Sequence, residues 1–150
     1  MSVATLEWSA PFEALKVGLV FVTGEHVVTA DEVLEFAELT GDHHPQHVDP
    51  AWAATSAFGE QIAHGMLVVS LAAGLVPFDP SRVVALRALK DVTFKRPAAF
   101  GDGLHVEGRI EALRPVGEDA GLVTLAWRVL DAQDRLVCRA RVDVLWKAGA

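Results

Sequence analysis

The expected fold of this chain follows from one stretch without acidic or basic side chains other than histidine: His64-Gly65-Met66-Leu67-Val68-Val69-Ser70-Leu71-Ala72-Ala73-Gly74-Leu75-Val76. From Met66 onward it is apolar on almost every side of a helix, which is typical of a helix enclosed by protein. The wider uncharged run 61–78 reaches the length of a membrane span, but Gln61, Ser70 and Pro77 interrupt it. The sequence therefore predicts a buried core helix, and it predicts no membrane partner.

The residues after this helix are predicted to form the strands that pack around it. Four β-rich runs cover 82–96, 102–114, 120–130 and 135–147, bounded by prolines, glycines and the turn 131–134. The last run alternates: one face is apolar (Leu136, Cys138, Ala140, Val142, Val144, Trp146) and the other polar (Arg135, Arg139, Arg141, Asp143, Lys147). We expect a single α+β domain over 1–150, with a curved antiparallel sheet around one buried helix and Cys138 in its core.

The chain before the helix contains shorter elements. Residues 19–28 predict a strand or a hairpin around Gly24. The run Thr29-Ala30-Asp31-Glu32 is a capping box that starts a helix, and Gly41 is placed to end it. A polar loop then covers 42–49, and Pro50 begins a second, short helix.

Charge and cysteine content restrict the class of protein. The net charge of −7 argues against wrapping of nucleic acid. Residues 1–80 hold one basic residue against eleven acids, and residues 81–150 hold twelve basic residues against nine acids. An anionic ligand would place its charge on the second half, but these cations could equally be solvated side chains on the open face of the strands. Cys138 is the only cysteine, which excludes an intramolecular disulfide. The lone thiol and the absence of an N-terminal targeting pattern predict a cytoplasmic protein.

Four of the six histidines, His43, His44, His47 and His64, lie close together in sequence, alongside Asp42 and Asp49. One interpretation is an acid/base pair, in which Asp42 and His47 share a water. A second is a metal site built from the four histidines and Asp49. A third is that these residues only cap helices. No HExxH spacing occurs, and Pro45 interrupts the regular backbone that would align His43 and His47 as an HxxxH pair on one helix, so we predict neither a metal nor a cofactor.

His64-Gly65 precedes the apolar helix and adds a second chemical element. A helix N-terminus offers unpaired amides, and Gly65 lets a ligand oxygen approach the backbone. This arrangement outlines an oxyanion hole, although Gly65 could equally serve only to start a tightly packed helix.

These residues carry a resemblance to a known family. Two runs resemble the MaoC-like dehydratases and (R)-specific enoyl-CoA hydratases. They are Phe36-Ala37-Glu38-Leu39-Thr40-Gly41-Asp42-His43-His44-Pro45-Gln46-His47-Val48-Asp49-Pro50 and Ile62-Ala63-His64-Gly65-Met66-Leu67. The family motif is approximately D-x-N-P-x-H-x-D, then A-H-G-M-L. The resemblance implies a hotdog fold and a hydro-lyase of fatty acid metabolism. Such an enzyme reversibly adds water to a trans-2-enoyl-CoA or acyl carrier protein thioester, giving an (R)-3-hydroxyacyl thioester without a cofactor.

The resemblance also assigns roles. It implies that Asp42 and His47 hold the attacking water and that the Gly65 amide binds the thioester oxygen. Four further residues are candidates for substrate binding: His64, Trp52, Phe58 and Ser70. Trp52 and Phe58 could equally be core residues. The phosphates of the CoA or acyl carrier protein group would bind one or more of five cationic side chains: Arg82, Arg87, Lys90, Lys95 and Arg96. The chain departs from the family at two positions, with His44 in place of asparagine and Ala73 in place of a helix serine.

Two other functions fit parts of the pattern. A hotdog thioesterase would use the same fold and helix N-terminus, but it does not explain the spacing of Asp42 and His47. A non-catalytic acyl-thioester-binding subunit would explain the missing serine at Ala73. For any of these, the open strand edges of a small curved sheet predict a homodimer with sites near the subunit interface.

Overall fold

A computed structural model describes residues 3–149 of the chain. After a 3-10 turn at Phe12–Ala14, the elements in chain order are β1 (Val20–Val22), β2 (His26–Val27), α1 (Ala30–Thr40), α2 (Pro45–Val48), α3 (Pro50–Ala54), α4 (Gly65–Leu75), β3 (Val83–Phe94), β4 (Gly103–Val116), β5 (Ala120–Leu130) and β6 (Leu136–Lys147). Within 3–149, the helices all fall short of the length and apolarity that a bilayer crossing requires.

The strands form one antiparallel sheet in the order β1-β4-β5-β6-β3. The four long strands match the four predicted runs closely. The predicted hairpin around Gly24 is wrong, because β1 and β2 both pair with β4. Thr23 holds the chain on β4 at this point: its amide donates to the Val106 carbonyl, and its Oγ1 accepts from the Val106 amide. The two short strands are therefore consecutive pieces of one edge.

Helix α1 begins and ends where the capping residues predict. The Thr29 hydroxyl accepts from the Glu32 amide at 3.2 Å, and the Thr29 amide donates to the Glu32 carboxylate at 2.9 Å. At the other end Gly41 adopts a φ of 81°, a conformation that glycine reaches at little cost, and its amide donates to the Ala37 carbonyl. This closure delivers the chain directly to Asp42.

Helix α4 buries one face against the sheet, using Leu67, Val68, Val69 and Ala72. The expectation that protein encloses it on every side is wrong for the single chain. Met66 is 59% exposed, and Ser70 also faces outward. The sheet covers only part of the helix, so a strip of α4 that contains Met66, Ser70 and Gly74 remains uncovered.

The polar face of β6 contains one exception to the predicted solvent exposure. Asp143 is buried, and its carboxylate accepts from Lys90 Nζ and Thr124 Oγ1, each at 2.7 Å. Burial alone raises the pKa of this carboxyl, but the two hydrogen bonds outweigh burial and hold the pKa below its usual range. On the apolar face Cys138 is buried as predicted, and burial raises the pKa of its thiol to about 11.

Candidate active site

Side-chain amides fasten the loop between α1 and α3 to the segment that leads into α4. The Gln46 side chain donates to the Glu60 carbonyl, and the Gln61 side chain donates to the His47 carbonyl, both at 2.9 Å. The Ile62 amide donates back to the Gln46 carbonyl at 3.3 Å. Two segments that are separate in sequence thus form one rigid support for the site histidines.

His47 lies on α2 with its ring fixed in one orientation. Its Nδ1 donates to the Ile62 carbonyl at 2.8 Å, so in the neutral ring Nε2 carries the free lone pair. Burial is the main effect on this half-buried ring and lowers its pKa below the ordinary 6.5, although the Ile62 hydrogen bond opposes the shift. His47 is therefore a neutral proton acceptor at pH 7.

His64, the N-cap of α4, completes a compact group with His47 and Asp42. Its Nε2 donates to the Asp42 backbone carbonyl at 3.0 Å, and its ring stacks on that of His47 with centroids 3.9 Å apart. A carboxylate oxygen of Asp42 and one nitrogen from each ring lie within 4.8 Å of one another. The structure brings together the two residues predicted to share a water.

Gly65 is the first residue of α4, where the backbone amides have no partner inside the helix. A Cβ atom at this position would lie 2.8 Å from the Phe94 ring, closer than such atoms approach in real proteins. Any side chain at position 65 would therefore require the Phe94 ring to shift, and the Gly65 amide lies at the helix end beside His64. The Phe94 contact supports the packing interpretation of Gly65, and its role as an amide donor stays a prediction.

A cavity of about 450 Å³ opens over this group. Its polar lining includes Asp42, His47, His64 and Gly65, and its apolar wall includes Phe58, Met66, Val68 and Phe94. Phe58, Met66 and Phe94 are each about half exposed at its mouth. The cavity therefore joins the candidate acid/base pair and the N-terminus of α4 to an apolar surface.

The other predicted substrate-binding residues lie away from this cavity. The Trp52 ring packs against that of His44, with centroids 5.4 Å apart, and Ser70 Oγ donates to the Met66 carbonyl at 2.8 Å. Neither residue lines the cavity, and neither does Ala73, the position of the family serine. Among the proposed acyl-binding residues, the structure places Phe58 at the site.

Three members of the alternative metal set have other partners. His43 bonds to Glu38 at 2.9 Å. His44 caps α2 by accepting from the Gln46 amide through Nδ1, and Asp49 caps α3 by accepting from the Trp52 amide. His44 thus performs the capping task for which asparagine is well suited. The five-residue metal site considered from the sequence is not assembled.

Two of the five candidate cations lie at the cavity. Lys95 and Arg96 line it, and both backbone amides are tied to the Val137 carbonyl. Arg82 instead donates to backbone carbonyls near the two chain ends, and Lys90 is paired with Asp143. The positive charge beside the site therefore comes from the segment that follows β3.

Sequence reasoning missed three contributors to the site. The Ile62 carbonyl orients His47, Phe94 packs over Gly65, and Val137 supports the cation segment from β6. Ile62 and Val137 act through backbone carbonyls, which leave no local sequence pattern. The run Phe94-Lys95-Arg96-Pro97, an aromatic residue followed by two cations and a proline at a strand end, was the available signal.

Fold and site together define a class of protein: an antiparallel sheet packed on a helix whose N-terminus adjoins a carboxylate and two imidazoles. Residues 17–127 match the MaoC like domain family. The chain belongs to this family.

Individual relatives agree with this assignment. The chain is 40% identical over 100 residues to the (R)-specific enoyl-CoA hydratase of Aeromonas caviae. The aligned region covers 67% of this chain and 72% of that protein. The X-ray structure of a monoamine oxidase regulatory protein from Archaeoglobus fulgius is 32% identical, with a TM-score of 0.88 over 94% of this chain and 96% of that one. A Mycobacterium tuberculosis protein with a double hotdog fold superposes with a TM-score of 0.83 at 24% identity, over 95% of this chain and 45% of that one. The predicted hotdog fold is confirmed.

Proposed function

We propose that the protein is an enoyl-thioester hydratase or dehydratase, which reversibly adds water to a trans-2-enoyl thioester and yields the (R)-3-hydroxyacyl thioester. The grouping of Asp42 and His47 beside the Gly65 amide, at the mouth of an apolar cavity, carries this proposal. The relationship to the Aeromonas caviae enzyme supports the same reaction. Such a reaction belongs to fatty acid metabolism.

The geometry suggests how the residues divide the work. Asp42 accepts one hydrogen bond from the water, and His47 Nε2 takes the other hydrogen as the water oxygen attacks the β-carbon. The electrons move onto the thioester oxygen, where the Gly65 amide and the α4 N-terminus stabilise the enolate. His47 then returns the proton to the α-carbon. The product has gained one hydroxyl and one hydrogen, and the protein is unchanged.

Turnover of crotonyl-CoA distinguishes this function from its alternatives. Loss of the enoyl absorbance without release of free CoA identifies a hydratase. Release of CoA identifies a thioesterase, and neither change identifies a binding subunit. The proposal expects hydration, and chiral analysis of the product should give the (R) isomer.

The lowered pKa of His47 predicts a particular pH profile. Burial disfavours the imidazolium, so the ring stays neutral further into acid than an exposed histidine. We expect kcat/KM for hydration to retain more than half of its plateau value at pH 6.5 and to fall at lower pH, as His47 takes up a proton. Initial rates between pH 5 and 8 in constant-ionic-strength buffers measure this. An acidic limb centred above 6.5 would contradict the assignment.

Lys95 and Arg96 are proposed to bind the carrier phosphates, because they line the cavity among the five candidate cations. Alanine at either position should raise KM for crotonyl-CoA by about tenfold, the loss of one charge-assisted hydrogen bond, with kcat nearly unchanged. Crotonyl-pantetheine lacks the nucleotide phosphates and should show little effect. The control is Lys16→Ala, at an exposed cation outside the cavity. An equal rise in KM for both substrates would contradict the phosphate role.

The open edge of the sheet supports a homodimer. Strand β3 is terminal in the sheet and exposes Val84, Leu86 and Leu89. At its end lies Phe94, which shares the cavity with Met66 of the uncovered α4 strip. A second copy covering this edge would bury apolar surface and adjoin the cavity.

Light scattering tests the dimer directly. We expect a dimer at micromolar concentration and a shift to monomer in Leu86→Asp, because a charge on the edge opposes strand pairing. The matched control is Leu39→Asp, at an 83% exposed position on α1, which should remain dimeric. A wild-type monomer across this range would refute the proposal.

A cytoplasmic location is also proposed. Cys138 is the only cysteine and is buried as a thiol, so the protein does not depend on an oxidising compartment for its stability. Fractionation of cells that produce the native chain would test this.

A further inference from the structure

The two stacked histidines share a feature that the hydration mechanism does not require. Each ring has one nitrogen fixed on a backbone carbonyl: His47 Nδ1 on Ile62 and His64 Nε2 on Asp42. Metal-ligating histidines are commonly held this way, because a carbonyl on one nitrogen fixes the lone pair of the other. Both rings are therefore restrained in a form in which the second nitrogen can act as a ligand.

His64 also leaves a polar atom unexplained. The residue is 2% exposed, and its Nδ1 has no hydrogen-bond partner among residues 3–149. A buried nitrogen without a partner is unfavourable, and an ion is one of the groups that can satisfy it. Asp42 is exposed and supplies a carboxylate oxygen within 4.8 Å of one nitrogen from each ring.

We propose that Asp42, His47 and His64 form a binding site for a divalent transition-metal cation of the zinc type. Two imidazoles and one carboxylate suit zinc, whereas magnesium and calcium favour oxygen ligands. The bound cation inhibits the enzyme, because it takes the His47 lone pair that must accept the proton of water. The binding stands on the geometry alone, and the inhibition rests on the proposed function.

Zinc binding is measured on the chelator-treated full chain by titration against a chromophoric chelator. We expect one zinc per chain and no competition from magnesium. Asp42→Asn, His47→Gln and His64→Gln should each weaken zinc binding by at least about tenfold. The matched controls are His43→Gln, whose ring bonds to Glu38, and His105→Gln, which removes the histidine from a separate surface cluster with Glu107 and Asp134. Both should bind zinc like the wild type.

X-ray absorption of the wild-type zinc complex gives a readout that needs no variant. Two imidazoles in the zinc shell are expected, and one or none overturns the proposal. It is also overturned if zinc does not bind, if folded His64→Gln binds it as tightly as the wild type, or if His105→Gln abolishes binding.

Activity separates the inference from the proposed function. For an active enzyme, zinc should inhibit crotonyl-CoA hydration and chelator should restore the full rate. Untreated enzyme should keep its activity in chelator. Stoichiometric binding to a chain that does not hydrate crotonyl-CoA would refute the proposed function and leave the metal site intact, whereas zinc bound at the three residues without inhibition would refute the inhibitory role.

Discussion

Asp42→Asn and His47→Gln are each expected to lower kcat for crotonyl-CoA hydration by about 10²- to 10⁴-fold. Asparagine keeps the shape of Asp42 but loses its charge, and glutamine keeps a polar group at 47 but cannot shuttle the proton. Because both residues act on one water, the double variant should be scarcely slower than the worse single variant. Steady-state rates of the three proteins measure this, with circular dichroism and thermal melting to confirm that each is folded.

Neighbouring imidazoles provide the controls for this experiment. His43 bonds to Glu38, and His44 caps α2, so neither is assigned a proton-transfer role. His43→Gln should be close to wild type, and His44→Gln should affect stability more than kcat, because loss of a cap costs about 1 kcal/mol. Near wild-type turnover in folded Asp42→Asn and His47→Gln would refute the assignment, as would a His43 substitution as damaging as His47→Gln.

Gly65→Pro should lower kcat by about a hundredfold relative to Gly65→Ala. Both variants place a Cβ against the Phe94 ring, but only proline removes the amide hydrogen. Loss of one oxyanion donor costs on the order of 3 kcal/mol of transition-state stabilisation. Proline is tolerated at the first position of a helix, and His64, with φ −58° and ψ 139°, already has the extended conformation required before it.

The comparison of the two variants isolates the donor from the packing. If Gly65→Ala is as slow as Gly65→Pro, the defect comes from displacement of Phe94, and the amide has no catalytic role. Phe94→Ala relieves the contact, and in that background Gly65→Ala should regain turnover while Gly65→Pro should not. A folded Gly65→Pro protein with ordinary turnover would refute the oxyanion role outright.

Local chemistry explains what could be predicted from the sequence. The capping box at Thr29 and the left-handed glycine at 41 determine α1 through atoms a few residues apart. Alternation in β6 marked its buried face, including Cys138. The spacing of Asp42, His47 and Gly65, together with the family resemblance, identified residues that the structure gathers at one cavity. Each of these features is encoded within a short segment of chain.

Long-range contacts account for what the sequence left open. Asp143 is buried because Lys90 and Thr124 reach it from neighbouring strands, and β1 and β2 share a partner because Thr23 bonds to Val106.

The same division applies to the site. The sequence by itself determined α1, α3, α4, the long strands and the candidate acid/base pair, since propensity, caps and alternation act locally. It missed α2, because the four residues Pro45–Val48 lie within the predicted loop 42–49 and are too few to show a periodic pattern. Tertiary structure alone decided that the Ile62 carbonyl orients His47, that Phe94 packs over Gly65, and that Lys95 and Arg96 face the cavity. The physical reason is that these contacts join segments that are far apart in sequence. No local sequence pattern marks a backbone carbonyl or a ring contact of this kind, and the contact forms only when the sheet packs on α4.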